Sequence, residues 1–108
     1  MIFIPDTTMF TKHQLMQAFA EHKHEIQAYG VHRLGLFGSY LHNLQTEASD
    51  IDLLVEFEPQ QKSYDNFIHL SFYLESLFQK KVDLITPSGL SPYLKNDILR
   101  DIEYLEIT

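Results

Sequence analysis

Two aspartates one residue apart, Asp50 and Asp52, stand at the head of the apolar stretch DIDLLVEF. If this stretch is a strand, alternate side chains share a face, and the two carboxylates lie on one face about 7 Å apart. Like charges so placed repel, and either a raised pKa or a bound cation relieves the repulsion. Hard divalent ions such as Mg²⁺ take such oxygen ligands. The pair indicates a metal site, although a solvated acidic strand end has the same pattern.

A third carboxylate, Asp83, lies in a second apolar stretch, KVDLIT. If the two stretches pair as strands, we expect Asp83 to lie near the other two aspartates. Three carboxylates on neighbouring strands can hold two metal ions about 3.5 to 4 Å apart. The alternative is that Asp83 is solvated at a strand edge.

Gly38 and Ser39 follow another apolar stretch, VHRLGLF. Glycine lets a ligand approach the backbone closely, and N–H groups at such a turn bind phosphate oxygens, to which the Ser39 hydroxyl adds a donor. Taken alone, an ordinary Gly-Ser turn explains the pair as well. A Walker-type phosphate loop is absent, because no Gly-Lys-Ser or Gly-Lys-Thr is present.

The elements that must position these residues can be predicted from periodicity and capping signals. Apolar alternation predicts strands, and three- to four-residue spacing predicts helices. The predicted strands are 31–37, 50–57 and 81–86; the predicted helices are 11–29, 63–78 and 91–105, with a turn or short helix at 38–45. This order predicts a small α+β (mixed α/β) domain with a three- or four-stranded sheet.

The composition limits the classes of function. The 108 residues predict a single domain over 1–108, and 15 acidic against 8 basic residues give a net charge of −7, which disfavours nucleic acid as the direct ligand. No cysteine is present, so disulfides, Cys-based zinc sites and a Cys nucleophile are excluded. With neither a signal-peptide pattern nor a long apolar run, we expect no membrane association and a cytoplasmic location.

Together, Gly38-Ser39, ten further residues and Asp50-Ile51-Asp52 resemble the signature of the polymerase-β-like nucleotidyltransferase superfamily. The resemblance is closest to its minimal members, the MNT domains, and extends through KVDLIT and PSGLSPYLKNDILRDIEYL, over roughly 31–105. It implies a mixed sheet with helices packed on one side. It also implies that Asp50, Asp52 and Asp83 are catalytic and bind two Mg²⁺ ions, while Gly38 and Ser39 bind the nucleotide.

The resemblance further implies a reaction and a partner. A hydroxyl attacks the α-phosphorus of ATP and pyrophosphate leaves, with Asp83 activating the hydroxyl. Minimal MNT proteins often accompany a HEPN-domain toxin as its antitoxin, in several cases by transferring AMP onto a tyrosine of the toxin. The resemblance therefore implies an antitoxin of a type VII-like toxin–antitoxin pair that forms a hetero-oligomer with its toxin.

One departure from the family pattern keeps two other functions open. Many MNT proteins follow Gly-Ser with a stretch ending in Ala-Arg-Gly, whereas here His42 and Asn43 stand in place of the arginine and glycine. A fixed positive charge near the phosphates is lost unless His42 is protonated. The first alternative is a catalytically weak or inactive binding module that neutralises its partner by covering it. The second is transfer to a small molecule, for which so short a chain would complete a pocket by oligomerising.

Overall fold

The computed structural model describes residues 10–108; the N-terminal residues 1–9, which carry most of the stretch that argues against a signal peptide, lie outside it. The regular elements in chain order are α1 (Lys12–Glu21), α2 (Lys23–Gln27), β1 (Val31–Phe37), β2 (Ile51–Phe57), α3 (Tyr64–Phe78), β3 (Val82–Ile85), a 3-10 turn (Pro87–Gly89), α4 (Pro92–Asp101) and β4 (Glu103–Glu106). Within residues 10–108, no helix is both long and apolar enough to cross a membrane.

The strands form one mixed sheet in the order β3-β2-β1-β4. β1 is antiparallel to both β2 and β4, whereas β2 and β3 are parallel, joined by the crossover helix α3. The predicted α+β class is confirmed, with four strands. The parallel pair matters most for the site, because its register sets Asp52 directly beside Asp83.

The apolar face of β2 builds the core with the helices α1 and α3. Register partners in a parallel pair share a face, so the fully buried Ile51 and Leu53 continue onto Val82 and Leu84 of β3. The Phe19 ring of α1 meets the Phe78 ring of α3 edge to face, with centroids 5.4 Å apart. This packing fixes which face of β2 and β3 remains for the aspartates.

Helix starts follow the predicted capping residues. At α1 the Gln14 N–H donates to Thr11 Oγ1 at 3.1 Å and the Thr11 N–H donates to Gln14 Oε1 at 3.0 Å, a reciprocal capping box. Ser63 Oγ accepts the Asn66 N–H at 3.1 Å at the start of α3. Ser91 Oγ accepts the Tyr93 N–H at 3.3 Å at the start of α4, with Pro92 in the first turn.

The prediction of one helix over 11–29 is wrong, because the chain leaves helical geometry at His22 (φ −110°, ψ 25°). A ring nitrogen of His22 lies 2.8 Å from the Ala18 carbonyl oxygen, which also accepts the His22 N–H at 3.1 Å. Two donors from one residue on a single carbonyl draw the backbone away from a regular helix. The segment therefore forms two helices, α1 and α2.

The prediction of a helix continuing to residue 105 is also wrong, because α4 ends at Asp101 and 103–106 form β4. β4 satisfies the second edge of β1, with Leu34 opposite Leu105. The Arg33 guanidinium lies 3.7 Å from the centre of the Tyr104 ring and its Nε donates to Glu56 at 3.0 Å. Ladder bonds and these cross-strand contacts outweigh the helical spacing of the apolar residues.

Candidate active site

The three aspartates meet at the entry to the parallel strands. Asp50 precedes β2, Asp52 is its second residue, and Asp83, the second residue of β3, is the register partner of Asp52. The Ile51 N–H donates to the Lys81 carbonyl at 3.0 Å and holds the two strand starts together. The structure therefore brings the carboxylates together as expected, while their catalytic and metal-binding roles stay predictions.

The charge of Asp52 is disfavoured in this setting. Burial raises the pKa of its carboxyl to about 6, with further contributions from the negative charges of Asp83 and Asp50. Asp52 is half-buried, so water does not screen this repulsion fully. A bound proton or a bound cation would relieve the repulsion at this carboxylate.

Gly38 brings the backbone of the Gly-Ser turn against Asp52. Its φ is +78°, a conformation that favours glycine, and Phe37 just before it is the register partner of Asp52. A Cβ at Gly38 would overlap the Asp52 carboxylate. Two independent reasons therefore favour glycine at position 38: its backbone conformation and the close approach of the turn to the carboxylate.

Residues 38–43 form a series of turns, so the alternative of a short helix at 38–45 is wrong. The His42 N–H reaches the Gly38 carbonyl at 3.4 Å and the Leu44 N–H reaches the Ser39 carbonyl at 2.9 Å. The fully buried Tyr40 anchors the turn in the core, and burial, with the nearby charge of Asp50, raises the pKa of its phenol. Ser39 is half-buried in this anchored turn, directly after Gly38.

A cavity of about 260 Å³ adjoins the turn on the side of α4. His42 Nε2 lies 3.8 Å from Asp101 Oδ2 across it, so α4 is joined to the turn through this pair. The lining residues are Phe37, Gly38, Leu41, His42, Asp97, Ile98 and Asp101. A second cavity, of about 380 Å³, is lined by none of the predicted site residues.

Lys81 is the site residue that sequence reasoning missed. Its Nζ lies 3.7 Å from Asp50 Oδ2 and 3.8 Å from Asp83 Oδ1. The available signal was its place immediately before the strand that carries Asp83, in KVDLIT. The pairing with Asp50 depends on the parallel register, which the sequence does not specify.

The donor set suits a hard divalent cation, since it consists of carboxylate oxygens that repel one another. In the described part of the chain, no three His, Cys, Asp or Glu side chains are gathered as a preformed metal centre. Lys81 supplies the positive charge between Asp50 and Asp83 instead. The raised pKa of Asp52 persists beside that lysine, so the chemistry of the site still fits a metal ion.

A glycine-containing turn held against an aspartate pair, with a third aspartate on a parallel neighbouring strand, defines the class of nucleotidyltransferase-like sites. The model of the nucleotidyltransferase domain family matches residues 19–105. The chain belongs to this family, and the predicted resemblance is confirmed.

Relatives agree with this assignment. The protein adenylyltransferase MntA of Thermococcus cleftensis is 37% identical over 98 residues, which span 90% of this chain and 98% of the relative. A solved structure described as a minimal nucleotidyltransferase is 31% identical, with a TM-score of 0.72 over 89% of this chain and 97% of the other. The MNT antitoxin fold also recurs in a Shewanella oneidensis complex with a tri-AMPylated HEPN toxin, at 19% identity, a TM-score of 0.57, and 86% and 71% coverage.

Proposed function

We propose that this protein transfers AMP from ATP to a hydroxyl in a Mg²⁺-dependent reaction, and that the hydroxyl belongs to a tyrosine of a HEPN toxin. It thereby acts as the antitoxin of a type VII-like pair. The observation that carries the proposal is the parallel register of Asp52 and Asp83, with Gly38 packed against Asp52.

In this reaction, Asp50, Asp52 and Asp83 would hold the metal ions, and these ions, when bound, would supply positive charge to offset that of the triphosphate. The backbone N–H groups of Gly38 and Ser39, with the Ser39 hydroxyl, hold phosphate oxygens. The acceptor oxygen forms a bond to the α-phosphorus as the bond to the bridging oxygen breaks, and pyrophosphate leaves. Asp83, on the edge strand β3, takes the proton of the hydroxyl.

The acceptor and the partner are inferred from relatives. One relative of nearly equal length is named a protein adenylyltransferase, which supports a protein acceptor. The Shewanella oneidensis complex pairs an MNT antitoxin with an AMPylated HEPN toxin, which supports a toxin as that acceptor. The net charge of −7 suits a basic partner.

The second candidate function is a binding module of the same fold with weak or no catalysis. The observation that favours it is the 3.8 Å contact of His42 Nε2 with Asp101 Oδ2, because His42 stands where the family pattern has an arginine. A histidine beside a carboxylate lacks the fixed charge and forked donors of an arginine, and so attracts phosphate less than an arginine does. Such a protein would neutralise its partner by covering it.

The test uses α-labelled ATP, Mg²⁺ and the purified protein, with and without the product of the neighbouring gene. We expect covalent label on the partner, lost with Asp52→Asn and kept with Asp65→Asn, which removes the same charge from the exposed first turn of α3. A stable complex with no label would favour the binding module. Label that persists with Asp52→Asn would overturn the catalytic assignment.

A further inference from the structure

Lys81 combines a backbone that is held by hydrogen bonds with a charged side chain that is largely exposed. Its carbonyl accepts the Ile51 N–H at 3.0 Å, and the next residue, Val82, donates its N–H to Glu75 Oε2 at 3.0 Å. Neighbours on both sides therefore hold the backbone. The side chain is two-thirds exposed, so its ammonium can leave the carboxylates without disturbing the core.

We propose that Lys81 is the built-in counter-ion of the aspartate site. It holds Asp50 and Asp83 in place in the metal-free protein and competes with the divalent ion for them. This inference rests on the metal site of the proposed function. Lys81 is a positioning residue, because it acts on the carboxylates rather than on the nucleotide.

Electrostatics gives the direction of the effect. The ammonium lies within 4 Å of one oxygen of each carboxylate, and a divalent ion that binds these oxygens meets an additional repulsive charge. The metal must therefore displace Lys81, which weakens metal binding to the free protein. Nucleotide phosphates supply further ligands, so metal bound together with nucleotide overcomes the competition.

Mn²⁺ binding to the nucleotide-free protein, measured by calorimetry, tests this. We expect Lys81→Met to bind Mn²⁺ about fivefold more tightly, the size expected from one exposed ion pair. Lys80→Met is the matched control, because Lys80 carries the same charge but its Nζ donates to the Glu47 carbonyl at 2.9 Å and makes neither of the salt bridges that join Lys81 to Asp50 and Asp83. The control should change the affinity by less than about twofold.

The melting temperature distinguishes a counter-ion from a lysine that only stabilises the fold, because only the loss of a counter-ion is compensated by bound metal. In chelator, Lys81→Met should melt about 2–5 °C below the unaltered protein, because the carboxylates lose their counter-ion. In saturating Mn²⁺ this difference should disappear. A deficit that persists in Mn²⁺ would make Lys81 an ordinary stabilising residue and overturn the proposal.

The outcomes separate this proposal from the proposed function. Equal Mn²⁺ affinity in both lysine variants and the unaltered protein would overturn the role of Lys81 and leave the metal site intact. Absence of Mn²⁺ binding in all of them, with ATP present as well, would overturn the metal site and the role of Lys81 together. Binding that Asp52→Asn abolishes assigns the measured ion to the aspartates.

Discussion

Asp52 is a half-buried carboxylate with two other carboxylates as neighbours, so its negative charge is costly whenever no cation is bound. Proteins retain such a cost where a ligand relieves it, and perturbed groups of this kind concentrate at functional sites. Gly38 lies directly against Asp52, and the carboxylate occupies the position that a side chain at residue 38 would need.

Asp52→Asn should stabilise the metal-free protein at neutral pH. The pKa of Asp52 rises from 3.8 to about 6 on folding, so the folded state loses relative stability as pH rises from about 4 through 6. Asparagine does not ionise. Its advantage should grow from near zero at pH 4 to on the order of 1 kcal/mol at pH 7, a value discounted because solvent screens the half-exposed carboxylate.

Urea unfolding in chelator at several pH values measures this advantage. A difference between the two proteins that does not vary with pH would show that ionisation of Asp52 is not its cause. A neutral-pH loss of stability in Asp52→Asn would contradict the expected sign.

Gly38→Ala should lower the free energy of unfolding by about 1–3 kcal/mol and abolish AMP transfer, since the new Cβ needs a left-handed conformation and overlaps the Asp52 carboxylate. Gly89→Ala is the control, because a Cβ there meets only ordinary contacts, at 3.4 Å or more. Denaturant unfolding and the labelling assay measure the two effects. Normal transfer by Gly38→Ala would show that the turn tolerates a side chain at this position.

At the scale of elements, β4 is the segment whose type depends most on tertiary contacts. Its sequence continues the helical spacing of α4, yet it pairs with β1 and brings Tyr104 against Arg33. The free edge of β1 decides its conformation. The local helical or strand propensity of residues 103–106 does not indicate that an edge of β1 is available for pairing.

Leu105→Pro tests this strand. Proline lacks an N–H and fits poorly in a paired strand, so the free energy of unfolding should fall by roughly 2 kcal/mol. Leu105→Ala, which shortens the same side chain but keeps the N–H, should cost less. Equal small losses in both variants, measured by urea unfolding, would favour a frayed helix end at residue 105.

The difference between local signals and long-range pairing explains which features the sequence predicts. The strands at 31–37, 50–57 and 81–86 are found with bounds within one residue, because alternation and flanking turn residues are local signals. The closeness of Asp83 to Asp52 was likewise expected once the two stretches were predicted to pair as strands, while the roles of these residues stay predictions. The contacts of Lys81 and the strand at β4 were not expected, since both arise from pairing between segments far apart in the chain.

On the scale of the whole molecule, folding and catalysis can be separated. Ile51, Leu53 and Val55 of β2 pack into the core on the face opposite Asp52, while the buried Leu54 shares the face of Asp52. Replacing a carboxylate by an amide of the same size should leave both sets of apolar contacts in place. The acidic surface that suits a basic partner is also nearly unchanged, since the chain carries 15 acidic residues.

The double variant Asp50→Asn/Asp52→Asn should therefore fold, co-elute with the product of the neighbouring gene on a sizing column, and transfer no label. Cells expressing the partner then distinguish the two candidate functions. Loss of protection would establish that AMP transfer is the means of neutralisation. Full protection by the double variant would favour the binding module.

The parallel pairing of β2 with β3 also sets the order in which the site forms as the chain folds. β1 and β2 are antiparallel neighbours in sequence, whereas β3 docks only after the α3 crossover has returned the chain to the sheet. A hairpin intermediate would hold Gly38 and Asp52 but lack Asp83. In a refolding mixture, AMP transfer should consequently begin only after β3 has docked onto β2, so that the onset of activity times the formation of the parallel pair.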